Sequence, residues 1–184
     1  MSVSRGLSFP VLAALVLAAA TACTADTPAR PEIERPSSAW TAAPPIYQAA
    51  ITSALGAQGC PSVDRNLVAA QLQFESNFTH DAVAVSGASG AAQISPSAWQ
   101  EWAPKVGATD PLNVLDSVTV QVAVNCDNAA LLQKAGAEPS LNNLVSAYSV
   151  GVNSTVNPGS HHLSVPFKDL GIEQIVAAAT PQER

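Results

Sequence analysis

Apolar residues recur at spacings of three and four along most of the chain after residue 45, which is typical of amphipathic helices. The residues of the first apolar face are Ile46, Ala50, Ile51 and Leu55. Gly56 and Gly59 mark its predicted end. No segment alternates apolar and polar residues as a half-buried strand would. The pattern therefore predicts an all-α domain, in which the loop of residues 83–94 has room for a small β-hairpin.

A second helix is predicted to begin at Ser62, whose hydroxyl can cap it, with Asp64 in its first turn. Its apolar positions follow at helical spacing, and they are Val63, Leu67, Ala70 and Phe74. Glu75 falls at the C-terminal end of this helix, between Phe74 and Phe78. The sequence thus places one carboxylate at a helix end among aromatic rings.

Cap and breaker residues predict the remaining helices. Ser95 followed by Pro96 is an N-cap with proline at the first helical position. That helix carries Trp99 and Trp102, for which core packing is favoured over stacking on a ligand. Further helices are predicted at residues 112–134 after Asp110-Pro111 and before Gly136, at 141–150 between Ser140 and Gly151, and at 172–179.

The first 22 residues are typical of a secretory signal peptide. Arg5 supplies a positive start, and the apolar run of residues 9–20 is short for a membrane span. Ala20-Thr21-Ala22 before Cys23 resembles a bacterial lipobox, with Ala20 where leucine is usual. Lipidation of Cys23 would anchor the protein at the outer face of the membrane. The alternative is ordinary signal cleavage at the same bond, which would release a secreted protein.

Three cysteines occur in the chain. If Cys23 is lipidated, Cys60 and Cys126 are left to form a disulfide outside the cell, and two unpaired buried thiols are the alternative. Residues 23–45 are rich in proline and alanine and predict an extended tether, whose only aromatic residue is Trp40. The folded domain is predicted to span residues 46–184.

The composition narrows the choice of partners. Charged residues make up 12% of the chain and the net charge is −6, without any Lys/Arg block. Nucleic acid is therefore not an expected partner, because phosphate binding needs a basic face. His161 and His162 have no partners at metal-ligand spacing, so no metal or cofactor is expected. We expect a monomer.

Glu75 is the residue around which chemistry is predicted. The helix macrodipole is negative at this end, and the flanking phenylalanines favour burial, so the pKa of Glu75 is expected to be raised. A carboxylic acid that stays protonated near neutral pH suits a glycosidase, which must protonate a leaving oxygen. A solvated helix-end glutamate is the alternative. The small residues 86–92 allow a ligand to approach the backbone, and Gln93 offers an amide to sugar hydroxyls or to Glu75.

Four short motifs follow one another in the domain. They are Glu75-Ser76-x-Phe78, Gly87-x-x-Gly90-x-x-Gln93-Ile94-x-Pro96, Asp110-Pro111-x-Asn113 and Ala147-Tyr148-x-x-Gly151. In order and spacing this set resembles the soluble lytic transglycosylase family, which has a lysozyme-like fold. The resemblance covers residues 67–156, most of the predicted domain.

The resemblance implies an activity and a role for each matching residue. The family cleaves the β-1,4 bond between N-acetylmuramic acid and N-acetylglucosamine in the glycan strands of peptidoglycan, and forms a 1,6-anhydro product. Glu75 would be the single catalytic acid and base, and Ser76 would start the turn after it. Gln93 would line the sugar subsites, and Tyr148 would hydrogen-bond to Glu75 and position it.

Two departures from the family pattern leave other functions open. Ala91-Ala92 stands where Leu-Met is usual, which would remove bulk beside the cleft, and Ser149 stands where asparagine is expected. One alternative is a peptidoglycan-binding module with little or no cleavage. A second alternative is a lysozyme-type hydrolase, which would need a base such as Asp81 or Asp110 opposite Glu75.

Overall fold

The computed structural model describes residues 37–158 and 171–182, and this part of the chain is all-α, as predicted. It contains eight helices: α1 (Ser38–Ala42), α2 (Pro45–Gln58), α3 (Arg65–Ser76), α4 (Pro96–Val106), α5 (Val114–Lys134), α6 (Leu141–Val150), α7 (Val152–Val156) and α8 (Ile172–Ala179). The predicted starts of α4 and α6 are confirmed, because Ser95 and Ser140 accept backbone N–H groups at these N-termini. None of the described helices is both long enough and apolar enough to cross a membrane.

Helix α3 is the centre of the fold. Every residue from Asn66 to Leu72 is buried, so this helix is surrounded on all sides. Helices α1, α2, α5, α6 and α8 all pack against it, and the long helix α5 packs along α2. Since α3 is held on every side, the position of its C-terminal end, which carries Glu75, is fixed by the whole core.

Two helix starts differ from the prediction. Helix α3 begins after Asp64, not Ser62, because the Asp64 carboxylate accepts the Leu67 N–H at 2.8 Å. Val63, the residue before this cap, is buried, as in a hydrophobic staple. Helix α5 is capped by Asn113, which accepts the Asp116 N–H at 3.1 Å, so the Asp110-Pro111 pair lies outside the helix.

The apolar face predicted for α2 is also partly wrong. Ile46 is 61% exposed, whereas Tyr47 and Ala54 face the core together with Ala50 and Ile51. Gly56 lies inside α2 and does not end it. The helix continues to Gln58, and the N–H of Gly59 donates to the Leu55 carbonyl at 2.9 Å.

Two tryptophans have the positions predicted for them, whereas Phe74 is more exposed than its place on the predicted apolar face of α3 implies. Trp99 and Trp102 pack against the core, as favoured. Phe74 is 46% exposed, yet its ring lies directly over the backbone of Gly171, where any side chain would collide with it. A glycine at this position therefore allows α8 to begin against α3.

The domain begins earlier than predicted. Ser37 caps α1 by accepting the Trp40 N–H at 3.2 Å, and the N–H of Ser37 donates to Asn66 Oδ1 at 3.1 Å. The Arg65 guanidinium lies 5.0 Å from the centre of the Trp40 ring. Residues 37–45 therefore belong to the folded domain and not to the predicted tether. The signal peptide, Cys23, and the histidines His161 and His162 lie outside the described residues.

The predicted disulfide is present. Cys60 and Cys126 are bonded, with Cα atoms 5.8 Å apart and a sequence separation of 66 residues. The bond joins the segment before α3 to the middle of α5. In the chain-entropy model, closing a loop of this length stabilises the folded state by about 4 kcal/mol.

Reduction of this disulfide should lower the free energy of unfolding by about 4 kcal/mol, because the unfolded chain regains the entropy of the open loop. Urea denaturation with and without reductant measures the change. A protein carrying both Cys60→Ala and Cys126→Ala should no longer respond to the reductant. Equal stability of oxidised and fully reduced wild-type protein would contradict the expectation.

Candidate active site

A cleft of about 310 Å³ opens at the C-terminal end of α3. Four helices and the loop before α4 contribute to its wall. The residues that line it are Glu75, Gln93, Ile94, Ser95, Ala98, Val124, Tyr148 and Ser149. The structure thus brings together three of the residues singled out from the sequence, Glu75, Gln93 and Tyr148.

Glu75 is the one carboxylate among the described residues that line this cleft. Burial of its carboxyl group raises its pKa from an ordinary 4.5 to about 7. At neutral pH the group is therefore divided between acid and carboxylate. This arrangement can donate a proton and later accept one, which is what general acid–base catalysis requires.

The chain reverses direction immediately after Glu75. Asn77 ends α3 in the left-handed region at φ 51°, and Phe78 follows in the same region at φ 59°. This conformation is unfavourable for a phenylalanine. The Phe78 ring packs 5.2 Å from the ring of Tyr47, so the core holds the turn in place.

Three hydroxyl groups from three helices hold the loop that faces Glu75. Ser76 Oγ of α3 donates to the Ala91 carbonyl at 2.7 Å. Tyr148 Oη of α6 donates to the Ala92 carbonyl at 2.8 Å, and Ser117 Oγ of α5 accepts the Ala92 N–H at 3.2 Å. We call this set the hydroxyl clamp. It fixes two consecutive residues of the loop, directly before Gln93.

Gly90 allows the loop to pack closely against the Pro111 carbonyl and the Ser117 hydroxyl. It has φ +76°, and a Cβ atom at this position would collide with the Pro111 carbonyl and lie 2.9 Å from Ser117 Oγ. Only glycine combines this backbone conformation with the absence of a side chain. Gly90 is one of the small residues predicted to let a ligand approach the backbone. In the structure it is the Pro111 backbone that approaches instead.

Gln93 has a different bonding pattern from the one expected. Its Nε2 donates to the carbonyls of Ala82 at 3.2 Å and Gly90 at 2.9 Å, so its N–H groups brace the loop. These two bonds use both N–H groups of the amide, so a further hydrogen bond of this side chain would be accepted by Oε1. Gln93 itself lies in the left-handed region at φ 48°. Contact between Gln93 and a sugar stays a prediction, in which the side chain would accept rather than donate.

Ser76 starts the turn after Glu75, as predicted, and Ser76 and Tyr148 both also hold the loop. Ser76 is not among the residues lining the cleft, and its hydroxyl also accepts the Thr79 N–H at 3.1 Å. The Tyr148 hydroxyl donates to Ala92, not to Glu75. Burial and the nearby Glu75 carboxylate raise the pKa of Tyr148 well above its usual range. Tyr148 thus lies close to Glu75 while its proton serves the hydroxyl clamp.

The two departures from the family pattern differ in their effect. Ala91 and Ala92 are completely buried and are not among the residues that line the cleft. Ser149 is exposed and lines the cleft, and its hydroxyl donates to the Val145 carbonyl of its own helix at 3.1 Å. Of the two, Ser149 is the change that a ligand would meet.

A buried amide network connects α3 to α5 near the cleft. Gln71, one helical turn before Glu75, accepts from Gln121 Nε2 at 3.0 Å and from Asn125 Nδ2 at 2.8 Å. Its own Nε2 donates to Asn125 Oδ1 at 3.2 Å. Since Asn125 follows the cleft residue Val124 directly, the network sets the cleft wall against the helix that carries Glu75.

Other parts of the structure are weaker candidates. Neither Asp81 nor Asp110, the bases considered for a hydrolase, lines the cleft with Glu75. A larger cavity of about 600 Å³ lies between α2 and the start of α5, but its walls are mainly apolar and carry no carboxylate. In residues 37–158 and 171–182, no three His, Cys, Asp or Glu side chains form a group able to bind a metal.

No protein-family model matches the chain, and no curated protein matches it in sequence.

The stability of the protein should fall as the pH rises from about 4.5 to about 7, because the folded state keeps the Glu75 proton over this window and the unfolded state loses it. Glu75→Gln removes this difference. We expect the variant to equal wild type near pH 4 and to be more stable by roughly 1–3 kcal/mol near pH 8. Urea denaturation at both pH values measures it, and a difference independent of pH would contradict the raised pKa.

Ser117→Ala should lower the free energy of unfolding by roughly 1–3 kcal/mol, because it leaves the buried Ala92 N–H without an acceptor. Thr119→Ala is a matched control on the same helix, since that hydroxyl bonds only to the Leu115 carbonyl one turn earlier. Chemical denaturation of both variants measures the difference. Equal effects would mean that the hydroxyl clamp is not a significant constraint.

Proposed function

We propose that this protein is a lytic transglycosylase with a lysozyme-like fold, cleaving the β-1,4 bond between N-acetylmuramic acid and N-acetylglucosamine in peptidoglycan. The observation that supports it most is Glu75, whose pKa is about 7 and which is the one charged side chain among the described residues that line the cleft. The ordered motifs around Glu75, Gln93 and Tyr148 point to the same activity.

One carboxyl group is sufficient for this reaction. Protonated Glu75 donates its proton to the glycosidic oxygen as the bond from C1 of the muramic acid to that oxygen breaks. The resulting Glu75 carboxylate takes the proton of the C6 hydroxyl of the same sugar, and that oxygen bonds to C1. The products are a free 4-hydroxyl on one fragment and a 1,6-anhydro ring on the other, and Glu75 is protonated again.

The composition of the cleft favours this reaction over hydrolysis. An inverting glycosidase needs a second carboxylate to activate water, and a retaining one needs a second carboxylate as nucleophile. Glu75 is the one carboxylate among the described residues lining the cleft, and the C6 hydroxyl of the substrate replaces the missing group. The N-acetyl group of the substrate would stabilise the positive charge that develops at C1.

A glycan-binding module with little or no turnover is the second candidate. It is favoured by Ser149, whose hydroxyl bonds to its own helix and leaves no amide at this point of the cleft. Either function would be exercised outside the cell, with the protein either secreted or held at the outer face of the cell membrane through a lipid on Cys23. The Cys60–Cys126 disulfide suits that oxidising compartment.

Digestion of purified peptidoglycan should yield fragments ending in 1,6-anhydro-N-acetylmuramic acid, identified by mass spectrometry. Glu75→Gln keeps the shape of the side chain but loses the acid, so it should reduce turnover by at least a hundredfold. The wild-type rate should decline above about pH 7 as Glu75 loses its proton. Reducing ends that have gained water would instead indicate a lysozyme. Glycan binding without products would support the binding module.

A further inference from the structure

Three amide side chains meet in the interior between α3 and α5. Gln71, Gln121 and Asn125 are all completely buried. Burying an amide is unfavourable unless protein hydrogen bonds replace its bonds to water. Leucine or methionine would fill the same space without this cost, so the presence of three amides requires a reason other than packing.

Gln71 and Asn125 form a reciprocal pair. Gln71 Nε2 donates to Asn125 Oδ1 at 3.2 Å, and Asn125 Nδ2 donates back to Gln71 Oε1 at 2.8 Å. Asn125 Nδ2 also donates to the Gln121 carbonyl of its own helix at 3.0 Å, which fixes the Asn125 side chain on α5. Because a hydrogen bond depends on direction as well as distance, two bonds between planar amides restrict rotation of one helix against the other.

Gln121 adds a bond to the backbone of α3, at some cost. Its Nε2 donates to the Val68 carbonyl at 3.3 Å and to Gln71 Oε1 at 3.0 Å. Its Oε1 is buried and has no hydrogen-bond partner among the described residues. An unpaired buried acceptor opposes folding. The network is therefore not the arrangement that would give the greatest stability, which points to a role in positioning.

Gln71 lies on the same face of α3 as Glu75. Residues four apart in a helix differ by about 40° around the axis and lie one above the other. Any rotation of α3 that moved Gln71 would therefore also move the Glu75 carboxyl group. On α5, Asn125 follows Val124, which lines the cleft together with Glu75. The reciprocal pair thus joins the two helices about one turn from the candidate acid.

Apolar packing alone would hold this rotation less strictly. The other buried residues of α3 near the pair are aliphatic, namely Val68, Ala69, Ala70 and Leu72. Hydrophobic attraction is non-directional, so these contacts permit a small turn about the helix axis. The amide pair resists such a turn because its bonds would lengthen and bend.

We propose that Gln71 and Asn125 are positioning residues, which set the rotation of α3 and thereby the direction in which Glu75 enters the cleft. This inference rests on the proposed function, in which the carboxyl group must reach both the glycosidic oxygen and the C6 hydroxyl. Neither amide is among the residues that line the cleft, so both act through α3 and not on a ligand. A displacement of about 1 Å at a reacting group can lower a rate by about a hundredfold, so a small rotation is sufficient.

The test variant carries Gln71→Met, Gln121→Met and Asn125→Leu, which fill similar volumes and remove the whole network. We expect it to fold with no loss of stability in urea denaturation, because no buried amide is left unpaired. Its kcat on purified peptidoglycan should nevertheless fall about tenfold to a hundredfold, with KM little changed.

An NMR titration of the Glu75 carboxyl carbon measures position without substrate. Its pKa should fall from about 7 towards 4.5 in the triple variant, because a carboxyl group that can turn reaches water. The signal is assigned by its absence in Glu75→Gln. Tyr148 is the one other titratable side chain among the described residues lining the cleft. An unchanged Glu75 pKa in the folded variant would overturn the inference.

Asn66→Leu is the matched control, because Asn66 is also a buried amide on α3. Its Oδ1 accepts the Ser37 N–H at 3.1 Å, at the opposite end of the helix from Glu75. We expect this variant to lose stability but to keep the wild-type kcat and the wild-type pKa of Glu75. An equal fall of that pKa in the control and the triple variant would mean general loosening of the core, and would also overturn the inference.

A milder variant decides the case if the triple variant does not fold. Gln71→Asn keeps the amide but shortens its reach by one methylene group, so it cannot form both bonds of the pair. It should lower kcat and the Glu75 pKa in the same direction. Wild-type values of both would overturn the positioning role.

The titration also separates this inference from the catalytic proposal. If the wild type forms anhydro products and the triple variant keeps the wild-type kcat and Glu75 pKa, the positioning role is overturned and the catalytic proposal stands. If the wild type forms no product but the Glu75 pKa falls in the triple variant and not in the control, the catalytic proposal fails and the positioning of Glu75 by the amide pair stands.

Discussion

The hydroxyl clamp is the interaction on which the candidate site depends. Ser76, Ser117 and Tyr148 come from three different helices, and together they bind the peptide groups of Ala91 and Ala92. A loop so rich in small residues would otherwise have many conformations of similar energy. The clamp selects one of them, in which Gln93 and Ile94 form a wall opposite Glu75. Ser76 and Tyr148, which the sequence suggests for substrate binding, thus use their hydroxyl groups to hold the wall of the cleft.

The same arrangement explains why Glu75 has an unusual pKa. Helix α3 is buried over most of its length, and the amide network around Gln71 attaches it to α5. These contacts fix the helix end that carries Glu75, and the burial of the carboxyl group at this position raises its pKa. Placing an ionisable group here opposes stability at neutral pH. Functional sites commonly carry such a penalty, which the surrounding core must offset.

Local signals in the sequence predicted most of the helices but only part of the site. Ser95 and Ser140 were found correctly as caps because a cap depends on neighbouring residues only. Ser62 and Asp64 are both good caps, and the burial of Val63 between them decides in favour of Asp64. The sequence does not indicate the role of Ser117, because its hydroxyl binds a loop 25 residues away and not its own helix. Gln93 and Tyr148 were placed at the cleft, but the backbone carbonyls that take their protons are set by tertiary structure.

The spacing of the clamp along the chain has a consequence for the order of folding. Its three contacts join residues separated by 15, 25 and 56 positions. The entropy lost in closing a loop rises with its length, so the Ser76 contact has the shortest loop to close and the Tyr148 contact the longest. A chain emerging from N- to C-terminus would therefore have Glu75 in a helix well before α6 arrives to complete the cleft. The candidate site is complete only when nearly the whole domain has been assembled.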